Sequence, residues 1–228
     1  MSTFETITAK VRDNLRISPD EALALFKAGH LAELSEMAGM ENFPSFAQSP
    51  WQTDSGAQTF CVPMASVIHG FIYNKDIFKE LGLEEPKTED EFFAVLEKIK
   101  TNGTYVPLVL GTNDQWEAAT MGFQNIGPNY WKGEEGRKAL IDGTGKLTDP
   151  AYVSTFATLA KWSPYMGEGF KAQTYPDSQN LFGLGKGAIY AAGSWDISTF
   201  RGQNVNMGAF KPPVPAGTTD CYISDHTD

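Results

Sequence analysis

The sequence has little of what most reactive or nucleic-acid-binding proteins carry. Two cysteines, Cys61 and Cys221, are too few for a disulfide framework. They share no short spacing, and with three scattered histidines there is no metal-site pattern. Taken alone they read as two small buried hydrophobes or as one long-range disulfide. Lysine and arginine total 18 against 28 acidic residues, for a formal charge of −10. No basic cluster breaks that balance, which excludes a nucleic-acid partner, since phosphates must be neutralised by grouped cations. No run approaches the roughly 18 apolar residues that span a bilayer. The first residues, Met1 to Thr6, lack a basic segment followed by an apolar one, so no signal peptide is visible. That predicts either a cytoplasmic protein or a chain whose natural start lies upstream.

Catalytic signatures are missing as well. There is no GxGxxG, P-loop or GxSxG pattern. Gly183-Leu-Gly-Lys-Gly lacks the ending of a phosphate loop and precedes a strand instead of a helix. His30, His69 and His226 have no Cys or Ser at nucleophile spacing. Paired carboxylates of a glycosidase meet in space, so among 28 acidic residues the sequence cannot single them out.

What is present is an ordinary globular composition, 41% apolar and 20% charged, and enough chain to bury a core. Ser18-Pro19-Asp20-Glu21 and Thr88-Glu89-Asp90-Glu91 are helix-opening capping boxes. The second leads into Phe92, Phe93, Leu96 and Ile99 at helical spacing and stops at Asn102-Gly103. Asp149-Pro150 predicts a third helix with Val153, Phe156, Leu159 and Ala160 on its apolar face. Trp162, just beyond that helix, reads as core. Short apolar runs at 60–73, 105–110, 188–192 and 205–210 predict strands, and 42–58 and 211–219 read as loops. Alternating strands and helices make the fold class α/β.

Two turns stand out. Asn113-Asp114-Gln115-Trp116 follows one predicted strand and Gly193-Ser194-Trp195-Asp196 follows another. Ligands of α/β sheets bind beyond the carboxyl ends of strands. An indole face suits the C–H face of a sugar ring, while Asp, Asn and Gln bond its hydroxyls. Ser194 or Asp196 could equally serve as a helix cap.

Gly70-Phe-Ile-Tyr-Asn-Lys-Asp-Ile-Phe-Lys-Glu-Leu-Gly-Leu, with Pro86-Lys-Thr-Glu-Asp-Glu-Phe after it, resembles a signature of the family 1 extracellular solute-binding proteins of ABC importers, which are carbohydrate receptors of the maltose-binding-protein type. Leu181-Phe-Gly-Leu-Gly-Lys-Gly-Ala-Ile-Tyr-Ala-Ala-Gly-Ser-Trp-Asp resembles a second segment of that family, in the family's order. Ala28 to Leu34 and Phe60-Cys-Val-Pro fit it too. The resemblance implies a periplasmic-binding-protein-like fold of two α/β lobes that close on a ligand by hinge motion. Residues 1–70 would be part of the first lobe, 71–210 the second, and 211–228 a hinge return toward the first. Members of the family are longer, so the first lobe is expected to be incomplete, with apolar faces left exposed and a complementing chain as one remedy.

The implied function is binding of a sugar or related polyhydroxy solute, without catalysis and without a cofactor or metal. Trp195 matches the family's cleft tryptophan. Asp196, Ser194, Trp116 and Asp114 are expected beside it, with Ser66 and His69 near the first crossover and Asp225 and His226 near the second. Implied partners are a carbohydrate ligand and membrane permease subunits, and the implied location is periplasmic or extracellular. On this reading Cys61 and Cys221 would both lie beside the hinge, where a disulfide becomes feasible. The alternatives are a carbohydrate-active enzyme on an α/β scaffold and an interaction protein that keeps the fold but no ligand.

Overall fold

The computed structural model describes residues 3–53 and 55–227; the side chains of Thr3, Pro19, His226 and Thr227 fall outside that description. The His226 binding expectation therefore lies outside the described residues. The chain divides into two compact units, Met1–Ser66 with Thr227–Asp228, and Val67–His226.

The smaller unit is helical. Helix α1 (Thr3–Arg12) is followed by α2 (Pro19–Lys27), which opens on the expected box: the Glu21 amide donates to Ser18 Oγ and the Ser18 amide to Glu21 Oε2. Lys10 joins the two helices through a 2.6 Å bond to Glu21. The stretch expected to be loop contains a short α3 (Ser45–Gln48) between two single 3-10 turns, Met40–Asn42 and Ser49–Trp51. Elements of one turn leave no apolar period in a sequence. Ile7, Met40 and Ala47 are buried here, whereas Val11, Leu15 and Leu23 are exposed.

The larger unit is an α/β sandwich. Its chain runs β1 (Ser66–Asn74), α4 (Lys75–Leu81), α5 (Glu89–Asn102) and β2 (Val106–Val109). A π-helical stretch, Ala118–Phe123, then leads to the short α6 (Gln124–Ile126) and α7 (Pro128–Trp131), followed by α8 (Glu134–Ile141) and α9 (Pro150–Ala160). The unit continues with α10 (Tyr175–Gly183), β3 (Gly187–Gly193), α11 (Asp196–Gly202) and β4 (Met207–Phe210), and β5 (Asp225–Thr227) pairs with β1. The strand order is β2-β3-β1-β4, with β2 parallel to β3 and β1 antiparallel to both β3 and β4.

Strand β3 is buried along its whole length, which suits its unbroken run of small and apolar residues. Helix α5 keeps its box, buries Phe92, Leu96 and Ile99, and ends at Gly103, whose φ of +77° is the left-handed conformation that glycine adopts without strain. Phe71 of β1 stacks on Phe210 of β4 at 5.2 Å and meets Phe92 and Trp162 at 5.0 and 5.8 Å. Trp162 is thus a core residue, as expected.

Helix α9 forms where expected but is turned differently. Val153 and Phe156 are 48% and 47% exposed, while Tyr152, Thr155 and Thr158 are buried. The buried face is held by hydrogen bonds: Tyr152 Oη donates to the Gly136 carbonyl and Thr158 Oγ1 to Glu89. A face whose polar groups are satisfied can be buried at little cost. Both cysteines are free thiols, Cys61 exposed and Cys221 half-buried, so the buried-hydrophobe reading does not hold for Cys61. No helix among the described residues is long and apolar enough to cross a membrane.

Candidate functional site

Because β2 and β3 are parallel, both finish at the same edge of the sheet, and the loops after them open there. Strand β1 runs the other way, and its pairing of His69 with Gly193 brings its first residues to that edge too. Ser66 is exposed at the start of β1. Ser224, beside the exposed Asp225, accepts a bond from the His69 amide. The expected residues with described side chains therefore come from one edge.

Their roles differ. Ser194 stitches the turn after β3 to β1, with its amide donating to the Ile68 carbonyl and its hydroxyl accepting from the Ile68 amide. Asp114 Oδ2 accepts the Tyr175 amide at 2.8 Å, so the loop after β2 is tied to the first turn of α10. His69 is buried, with Nδ1 3.0 Å from the Thr120 carbonyl and its ring edge-on to Trp195 at 5.6 Å. Since a carbonyl only accepts, that nitrogen carries the proton.

Trp195 is half-buried and Trp116 is 38% exposed. Between them lies Tyr175, whose ring meets Trp116 edge-on at 4.8 Å. The Trp195 indole N–H donates to Tyr175 Oη at 2.9 Å, and that hydroxyl donates to Asp196 Oδ1 at 2.5 Å. Gln179 Nε2 donates to the same carboxylate oxygen at 2.8 Å. Asp196 is fully buried and gives no side-chain cap to α11, which settles the capping alternative for it. Burial raises its pKa, and the bonds from Tyr175 and Gln179 offset part of the rise. Asp196 Oδ2 is buried with no hydrogen-bond partner.

Glu117, next to Trp116, is a residue that sequence reasoning passed over. It is fully buried, and neither carboxylate oxygen is held by a well-formed hydrogen bond. Burial pushes its pKa up to about 7, and the charges of Asp114 and Asp196 push the same way. The nearby Ser178 hydroxyl and Gly111 N–H recover part of that cost. Tyr175 and Gln179 were passed over as well. Thr174-Tyr-Pro-Asp is a capping box that signals α10, and the structure forms it, with the Asp177 amide donating to Thr174 Oγ1. Nothing in the sequence ties that helix to the two tryptophan turns.

The arrangement offers aromatic surface at a sheet edge, backed by the buried Asp196 and Glu117 carboxyls and the half-buried Gln179 amide. Among the described residues no group of three His, Cys, Asp or Glu side chains is arranged to hold a metal ion.

The chain is 32% identical over 162 residues to an ABC transporter extracellular-binding protein of Pyrococcus horikoshii, a match covering 66% of this chain and 34% of that one. It is 30% identical over 198 residues to the multiple sugar-binding protein of Streptococcus mutans, covering 82% of this chain and 46% of the relative. A solved structure of a chitin oligosaccharide binding protein superposes with a TM-score of 0.77 at 26% identity, covering 90% of this chain and 52% of that one. The chain thus spans about half the length of such relatives or less. The profile of the bacterial extracellular solute-binding proteins matches residues 17–226, and the chain belongs to that family.

Proposed function

We propose that this chain supplies ligand-binding structure to the substrate-binding component of an ABC importer, with a neutral sugar or related polyhydroxy solute as ligand. The observation that carries the reading is the grouping of Trp116, Tyr175 and Trp195 at the carboxyl ends of parallel β2 and β3. Half-exposed indoles can lie against the C–H faces of a pyranose, while exposed Asp114, Ser66 and Asp225 are available to its hydroxyls. The names of two similar proteins, a multiple sugar-binding protein and a chitin oligosaccharide binding protein, support the same ligand class. Residues 71–210 would then be the second lobe, with 211–228 returning toward the first. Permease subunits in the membrane would be the partners of the whole protein, which would itself lie in the periplasm or outside the cell.

The enzyme alternative needs two carboxyls flanking an accessible glycosidic bond. Glu117 and Asp196 are two carboxyls near one another's charge, but both are fully buried, which argues against that use. A thermal-shift screen over mono- and disaccharides, polyols and uronic acids tests the proposal, repeated with Trp195→Ala. A ligand that binds only the native state must raise the melting temperature. Shifts with one sugar class that vanish in the variant are expected. No shift with any saccharide would overturn the reading, and equal shifts in the variant would remove Trp195 from the site.

A further inference from the structure

We propose that Tyr175 is a positioning residue that couples the buried Asp196 carboxylate to the Trp195 indole and sets the angle between the two site tryptophans. The proposal deepens the sugar-binding reading and, for its ligand consequences, rests on it.

The chemistry of the three groups leaves one direction for the chain of bonds. An indole N–H only donates, and Asp196 Oδ1 already accepts from the Gln179 amide N–H, so neither end of the chain exchanges roles with the other. A phenol hydroxyl does both at once. Tyr175 Oη accepts from Trp195 and donates to Asp196 Oδ1, so its own proton is committed to the carboxylate. The bond to Asp196, at 2.5 Å against 2.9 Å, is the shorter and therefore the tighter of the two. It fixes the hydroxyl oxygen, and that oxygen fixes the indole.

The carboxylate is itself held in place. Gln179, one helical turn beyond Tyr175 on α10, donates to the same oxygen, so one helix face grips Asp196 twice. Tyr175 also reaches the other tryptophan. Its ring meets Trp116 edge-on, and its amide is bonded to Asp114 of the loop that carries Trp116. The two indoles stand 6.5 Å apart at 52°, and Tyr175 touches both. Asp196, with no exposed surface, acts on a ligand through this relay and not by contact.

The test uses the full chain with ¹⁵N-labelled indole nitrogens, the Trp195 signal being assigned by Trp195→Phe. Tyr175→Phe should shift and broaden the Trp195 N–H signal while leaving that of core Trp162 in place. Asp196→Ala should move the Trp195 signal when Tyr175 is present but add nothing in the Tyr175→Phe background. Asp196→Asn, which keeps an accepting oxygen, should restore most of the wild-type position. An unmoved Trp195 signal in Tyr175→Phe, or an equal effect of Asp196→Ala in both backgrounds, overturns the relay. In parallel, N,N′-diacetylchitobiose and raffinose are titrated by tryptophan fluorescence. Tyr175→Phe should weaken whichever binds by about tenfold, as expected for the loss of one hydrogen bond that positions the indole. Unchanged affinity would overturn the positioning role. Absence of a shift with any saccharide of the thermal screen would overturn the sugar reading, and the NMR cycle would then decide the relay by itself.

Discussion

The six-membered ring of Trp195 fills the space into which a side chain at Gly193 would project. A Cβ at Gly193 would lie 1.9 Å from Trp195 Cζ3 and 2.1 Å from Cη2, far inside van der Waals contact. Gly193 ends β3 opposite His69, so its backbone is held by the sheet. The indole is held by Tyr175. Neither side can yield freely.

Gly193→Ala should therefore expel the indole from its seat and break its bond to Tyr175. The expected cost is about 1–3 kcal/mol of stability, typical of overpacking, with an altered near-ultraviolet circular dichroism spectrum. Urea unfolding followed by both signals checks this. Wild-type stability and spectrum in the variant would show that the ring gives way at no cost.

Glu117 should make stability fall as pH rises through the neutral range. Its native pKa is raised to about 7, whereas an unfolded glutamate titrates near 4.3. Below about pH 4 both states hold the proton and the group contributes no dependence. Between those values the unfolded chain gives up its proton first, so the native state loses ground until about pH 7. Glu117→Gln keeps the neutral shape, and should gain stability over wild type by on the order of 3 kcal/mol between pH 4 and pH 8. Asp196 pushes in the same direction but is present in both proteins, so comparing them isolates Glu117. A wild-type-to-variant difference that does not change with pH would refute the assignment.

The reciprocal cap on α5 should be separable from the core. Thr88 Oγ1 accepts from the Glu91 amide, and Glu91 Oε2 accepts from the amides of Thr88 and Lys87. Thr88→Ala should cost about 1 kcal/mol. The midpoint of denaturation should drop with no change in its slope, because the exposed surface of the unfolded chain is unaltered. A loss above about 3 kcal/mol would mean Thr88 does more than cap.

Two tryptophans should respond in opposite ways. Trp162 is 1% exposed and packs against Phe71 and Phe92, so Trp162→Ala should cost about 3–5 kcal/mol. Trp116 lies on the surface, and Trp116→Ala should change stability by less than about 1 kcal/mol while weakening any saccharide that wild type binds. The reverse ranking in chemical denaturation would contradict the placement of both residues.

Local signals in the chain were reliable where the physics is local. Capping boxes act over three residues, so Ser18 and Thr88 marked α2 and α5 correctly. The apolar runs of β2, β3 and β4 were also legible, β3 most plainly, because a strand buried on both faces has to be apolar throughout. Periodicity misled at α9, where Val153 and Phe156 suggested the buried face. Thr155 and Thr158 took that place because their hydroxyls find partners, Thr158 on Glu89 and Thr155 on the Ala151 carbonyl. A partner such as Glu89, 69 residues from Thr158, has no signature in a window of sequence.

The sequence by itself determined the α/β class, the family and the two tryptophan turns, since each is written in short contiguous patterns. The tertiary structure decided what those turns do together. Parallel β2 and β3 deliver Trp116 and Trp195 to one edge, and α10 inserts Tyr175 between them. Asp196, read from sequence as a direct ligand residue, is sealed beneath that edge and bonded to Tyr175. Residues separated by tens of positions meet only when the sheet forms, and the burial that raises the pKa of Glu117 and Asp196 exists only once it has.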